Sequence, residues 1–234
     1  MSVLADRMVG LRLAHRPEFV LRLAEFALAY GLGEAAALVV QARPHPDAAL
    51  PTLDVDDGTL QQQFLGGSGA RSAWWDGFRS MSRARPTFHG VAGLSNSSEP
   101  TWACEMHRDG HFIAGIWRFP ELPGSDGRAV PVIADFYCGF FDDFCALVAK
   151  VSEHGGIAQR YELTATLLGA PRLHFAKPSD FGGSHVIGAA PLATTNLQWP
   201  VLAVEQGSPA WTASGKELGR ALAGAYGATP PRAA

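Results

Sequence analysis

Cys104, His107 and His111 form a CxxH followed, after three residues, by a second histidine. Thiolate and imidazole at such spacing are a donor set suited to zinc. They lie in TWACEMHRDGHFIAGIWRF, which reads as two strands joined by Asp109-Gly110, a dipeptide favoured where both turn residues need positive φ. A two-residue turn sets Arg108 opposite His111, Met106 opposite Ile113, Cys104 opposite Gly115 and Trp102 opposite Trp117. The tryptophan and Met/Ile pairs mark that face as the buried one. His107 then points to the other face, the three ligands cannot meet, and no metal site is expected.

A second constellation is GGSGARSAWWDGFRSMSRAR, residues 66–85. Glycines let backbone N–H groups approach a phosphate, Arg71, Arg79, Arg83 and Arg85 supply guanidinium groups, and Trp74, Trp75 and Phe78 offer faces on which bases could stack. No GxxxxGK[ST] or strand-to-helix GxGxxG accompanies them. The competing account is a surface loop with its tryptophans tucked into the core.

Catalytic patterns are weaker still. Asp142 and Asp143 are adjacent on a helix and diverge by about 100°, so they read as its polar side rather than as an acid/base pair. The stretch SDFGGSHVIG holds Ser179, Asp180, Ser184 and His185, but no GxSxG is present and a turn-rich connection accounts for it. His154, just before Gly155, suits a helix C-terminus. No catalytic residue and no cofactor is assigned. An enzyme remains the third reading, to be judged by whether His89, His174 or His185 meets a carboxylate or hydroxyl in a pocket.

The elements that must carry these residues follow from periodicity. Pro17 opens a helix in which Phe19, Leu23, Phe26, Ala27 and Tyr30 recur at helical spacing until Gly31 stops it, and an earlier helix covers residues 3–14. Residues 36–42 form a strand, and residues 51–98 read as loops with a short helix near 74–81. After the hairpin at 101–119 and a Pro/Gly/Ser-rich loop at 120–128, the best helix of the chain spans 135–154, with Phe136, Phe140, Phe144, Leu147 and Val151 on one arc. Strands follow at 160–168, 173–176 and 201–205, then a closing helix at 211–226. The expected fold is α/β, with α+β as the alternative: one mixed sheet including the hairpin, packed by the long helix and the C-terminal helix. Residues 1–226 make a single globular domain with a helical segment at 1–31, and 227–234 a flexible tail.

The 234 residues are 47% hydrophobic, enough for a large core, with a net charge of −3 that gives no general attraction to nucleic acid or anionic lipid. The most apolar stretch, 136–151, is interrupted by Asp142, Asp143 and Lys150, and Asp6, Arg7, Arg12 and Arg16 break what a signal peptide would keep apolar. A soluble cytoplasmic protein is expected, away from the membrane, with Cys104, Cys138 and Cys145 as reduced thiols.

From the strand AALVVQARP through RPTFHG, RDGHF, the 132–154 helix, ELTATLLGAP and LQWPVLAVE to the final helix ending in AYG, the chain resembles a bacterial C-terminal region. That region accompanies the Schlafen-like, AlbA-type DNA-binding domain. The AlbA-type domain itself has no counterpart here. The resemblance implies an accessory module and lends no catalytic residue. The expected function is accordingly a non-catalytic accessory or regulatory module binding a protein partner or a second copy of itself. Nucleic-acid or phosphate binding through residues 66–85 is the alternative.

Overall fold

The computed structural model describes residues 17–46, 52–68, 75, 77–78, 81, 84–123, 129–133, 136–156, 160–178, 184–188, 196–205 and 208–228. The expected helix at 3–14 and most of the C-terminal tail lie outside them. Helix α1, Pro17–Ala29, buries Phe19, Leu23, Phe26 and Ala27. It ends where Leu32 N–H donates to the Ala27 carbonyl at 2.7 Å and Gly31 N–H to that of Leu28 at 3.3 Å. Gly31 sits at φ 67°, left-handed backbone that costs a residue with a Cβ, so this helix stop is written in the sequence.

Strand β1, Ala37–Pro44, runs through the middle of an eight-stranded sheet. It pairs with β8, Arg160–Leu168, on one side and with β5, Phe112–Ile116, on the other. Beyond β5 come β4 (Trp102–His107), β3 (Gly90–Leu94) and β2 (Arg85–Pro86). The far edge of β8 is shared by β11 (Asn196–Gln198) and β12 (Leu202–Glu205). Two short ladders stand apart, β6 (Glu121–Pro123) with β7 (Ala129–Pro131), and β9 (Phe175–Pro178) with β10 (Ser184–Gly188). The fold is mixed α and β, a sheet packed by helices, and its ladders are antiparallel rather than mixed in direction.

Both faces of the sheet are covered. Alternation along β1 sends Leu38, Val40 and Ala42 to one face and Ala37 and Val39 to the other, and all five are fully buried. The first face carries the larger core, under α3 (Phe136–Gly155) and α4 (Ser208–Ala225), with Phe140, Phe144, Leu147, Trp211 and Leu222 inside. The second is roofed by α1, whose Val20, Leu23 and Phe26 meet Val39, Ala103, Ile113 and Leu168. Double coverage is why β1 opens on the unbroken apolar run ALVV, whereas β8, RYELTATLL, alternates and turns the buried Glu162, Thr164 and Thr166 away from the larger core. Among the described residues no helix is long and apolar enough to cross a membrane.

Four expectations need correction. The hairpin loop has three residues, with His107 N–H donating to the His111 carbonyl at 2.9 Å and Gly110, at φ 75°, donating to His107 O at 3.0 Å. Asp-Gly also serves this turn-plus-bulge geometry, in which one added residue shifts the ladder. The observed partners are Trp102 with Ile116, Cys104 with Ala114 and Met106 with Phe112. Trp102 therefore faces the larger core, while Trp117 stacks on Tyr30 at 5.4 Å on the other side.

Residues 51–98 are more regular than expected. They hold α2 (Gly58–Leu65), whose start Asp57 caps by accepting from Thr59 N at 2.8 Å, together with β2 and β3. A continuous helix over 74–81 is excluded by Gly77 at φ 84°. Asp143, expected on a solvated helix face, is fully buried. It accepts from Trp75 Nε1 at 2.9 Å and Phe78 N at 2.6 Å, and from the Ser68 hydroxyl. Burial pushes its carboxyl up, while these donors pull it back.

Candidate functional site

The smaller core carries an unusual polar load. On β4, the alternation that buries Ala103 on the α1 side also puts Glu105 and His107 there, and the corrected register brings His111 beside them. Cys104 points into the opposite core, so the CxxH…H triplet is divided between faces with both histidines together. Glu105 accepts from the Tyr30 hydroxyl at 2.7 Å, and its other oxygen lies 2.7 Å from His107 Nε2. Tyr30 is positioned by the Gly31 helix stop.

Two further elements complete the cluster. The β2–β3 hairpin places Phe88 and His89 at its tip, closed by Thr87 N–H to Gly90 O at 2.9 Å and by Gly90 N–H to Thr87 Oγ1 at 3.0 Å. Arg108 N–H donates to His89 O at 2.9 Å, tying this tip to the neighbouring turn. His89 Nε2 lies 3.1 Å from Glu25 on α1. Arg22, one turn earlier, reaches Glu25 at 3.1 Å and Asp109 at 3.0 Å. The rings of His89, His107 and His111 form a chain with centroid separations of 5.2 and 5.5 Å.

Burial disfavours the protonated form of two of these histidines, His111 and His89. Burial lowers the His111 pKa well below its ordinary value, with His107, Arg22 and Arg43 adding to the effect and Asp109 opposing it. His89 is lowered by desolvation and by Arg22, against Glu25. Burial raises the Tyr30 pKa strongly, and the Glu105 charge raises it further. Burial also works against ionised Asp109, but the His111 N–H and the nearby positive groups prevail and hold its carboxyl below the usual value. Among the described residues no group of three His, Cys, Asp or Glu side chains is placed to hold a metal ion.

Above these groups lie two cavities, of about 410 and 390 Å³, which share Arg22, Glu25 and His89. The first is walled by Phe26, Leu28 and Tyr30 of α1 and its end, and by the Arg85 to His89 hairpin, with Glu105 and His107 as floor. The second continues past Leu21, Arg43, Asp109 and His111. Each falls within the size range of ligand pockets, about 300–1,000 Å³.

Of the sequence candidates, Arg71, Trp74, Arg79 and Arg83 lie outside the described residues. Trp75 is buried, edge-on to Phe78, Trp102 and Phe140, and offers no free face for a base. Arg85 is exposed and lines the first cavity. His174 is exposed, the side chain of His185 is outside the described set, and His89 meets a carboxylate in a pocket. Sequence reading passed over Arg22, Glu25, Tyr30, Glu105 and His107 as a group because they come from separate segments. The available signal was Glu105 and His107 alternating within the otherwise apolar WACEMH.

No family model, curated protein or solved structure matches this chain.

Proposed function

We propose that this chain is a non-catalytic accessory module of the cytoplasm that binds a protein partner across the cleft between α1 and the β2–β3 hairpin. One observation carries the reading. Leu21, Leu28 and Phe88, 58%, 73% and 93% exposed, are the large hydrophobic side chains that the described surface leaves open, and all three line the joined cavities. Singly exposed apolar residues are ordinary; their convergence on one cleft with a polar floor is the pattern of a recognition site. Leu21, Glu25 and Leu28 stand at i, i+4 and i+7 along α1, one outward stripe that a partner can follow.

The test is purification of the full chain from its own cells, followed by mass determination of the native complex. A stoichiometric protein partner is expected, lost when Phe88→Ala and Leu28→Ser are introduced together. A chain that stays alone and monomeric at high concentration would sink the reading, and a homodimer broken by the same pair would make a second copy the partner.

A further inference from the structure

Charges in the first cavity are matched within the protein at every position except one. Arg22 is held by Glu25 and Asp109, Glu25 also by His89, and Glu105 by Tyr30 and His107. Arg85 lines the same cavity, is exposed, and acts electrostatically on Tyr30, but its guanidinium makes no ion pair or hydrogen bond among the described residues. It sits on the two-residue strand β2, three positions before Phe88, so an unused guanidinium and the most exposed aromatic side chain belong to one hairpin. Leu28 and Phe26 face them from α1 across the cavity. The floor is polar, with His107 2% exposed and its buried Nδ1 without a hydrogen-bond partner among the described residues.

These features specify an occupant. A guanidinium fork with no partner among the described residues is suited to read a carboxylate. The apolar walls beside it take a large side chain, over a polar floor in which Glu105 holds the His107 ring through Nε2. A carboxylate and a bulky apolar side chain occur together, on adjacent atoms, at the C-terminal residue of a protein chain. We infer that the cleft receives the C-terminus of a partner protein ending in an aromatic or large aliphatic residue, with its carboxylate on Arg85 and its side chain between Phe88 and Leu28. This rests on the partner-binding reading above and names the part of the partner that enters.

N-acetyl-L-phenylalanine and its carboxamide, titrated into the full-length chain and followed by calorimetry or amide NMR, test it. The acid is expected to bind, with shifts confined to α1 and the β2–β3 hairpin, and the amide to bind at least about tenfold more weakly, the scale of one charge-assisted pair. Arg85→Gln should bring the acid down to the amide's level without changing the unfolding midpoint. Arg85→Lys, which keeps charge and loses the fork, should fall between. Equal binding of acid and amide, no binding of either, or indifference to both Arg85 variants overturns the inference even where a protein partner is recovered. Arg85-dependent acid binding by a chain that has no protein partner overturns the partner reading instead, and assigns the pocket to a free carboxylic acid.

Discussion

His107 lies directly across the β4–β5 hairpin from His111, ring centroids 5.5 Å apart, with His107 Nδ1 and His111 Nε2 both buried and without hydrogen-bond partners. The groups around the pair are Arg22 and Glu25 from α1, Arg43 from β1, Glu105 from β4, Asp109 from the turn and His89 from the β2–β3 tip. An unfolded histidine takes up its proton near pH 6.5, whereas His111 in the fold resists it. Acidification therefore favours the unfolded chain, and stability should be level above about pH 6.5 and fall below it. The part of the slope due to His111 should be at most about 1.4 kcal/mol per pH unit, until its lowered folded pKa is passed, with His89 adding to it in the same direction. Urea unfolding at a series of pH values reads this directly. His111→Phe keeps an aromatic ring against Phe19 and should flatten the curve; a wild-type curve that rises on acidification would contradict the assignment.

Asp143 should be worth more than its place on a helix suggests. Asp143→Ala strands the indole N–H of Trp75 and the backbone N–H of Phe78 in the core, and a loss of about 3 kcal/mol is expected. Asp143→Asn, which retains one acceptor oxygen, should cost about 1 kcal/mol. Denaturant unfolding gives both numbers, and equal effects from the two variants would show that the hydrogen bonds are not the source.

Gly90 and Gly93 on β3 differ in what a methyl group would meet. A Cβ on Gly90 would stand 2.1 Å from the Met106 carbonyl oxygen, which the β3–β4 ladder fixes, whereas on Gly93 it would meet the Met81 side chain, nearest at Sδ, 2.2 Å away. A thioether can swing aside and a ladder carbonyl cannot. Gly90→Ala should cost about 3 kcal/mol and Gly93→Ala about 1, measured by thermal or urea unfolding.

Thiol reactivity should separate the cysteines. Cys104 and Cys145 are fully buried, and burial pushes both thiols far up. At pH 8 in native buffer a thiol reagent should modify neither, while half-buried Cys138 reacts; all three should react in denaturant. Rapid native labelling of Cys104 would contradict the placement of β4.

How much was readable from the sequence depended on where each pattern was decided. α1, α3, α4 and β8 carry their own apolar periodicity and glycine stops, and they lie within a few residues of expectation. The hairpin register was not readable, because Asp-Gly serves two turn geometries and a sheet buried on both faces leaves no polar stripe to choose between them. β3 was missed because Gly90 and Gly93 depress strand propensity, although close approach to Met106 and Met81 is what requires them. Half of the polar cluster depended on that same register: with one residue more in the turn, His107 and His111 share a face. The other half depended on α1 crossing this face rather than the one under α3, which no local signal specifies.

The position of β1 has a consequence for the order in which the protein is made. Among the described strands β1 is made before the others, yet it is central, and the residues it must pair with begin at 112 on one side and end at 168 on the other. On the ribosome one of its bare edges waits through about seventy further residues and the other through more than a hundred, while β3, β4 and β5, joined by short turns, can assemble as they emerge. The apolar residues Ala37, Leu38, Val39 and Val40 thus lack their final partners until residues 160–168 have emerged, an exposure that favours aggregation over folding.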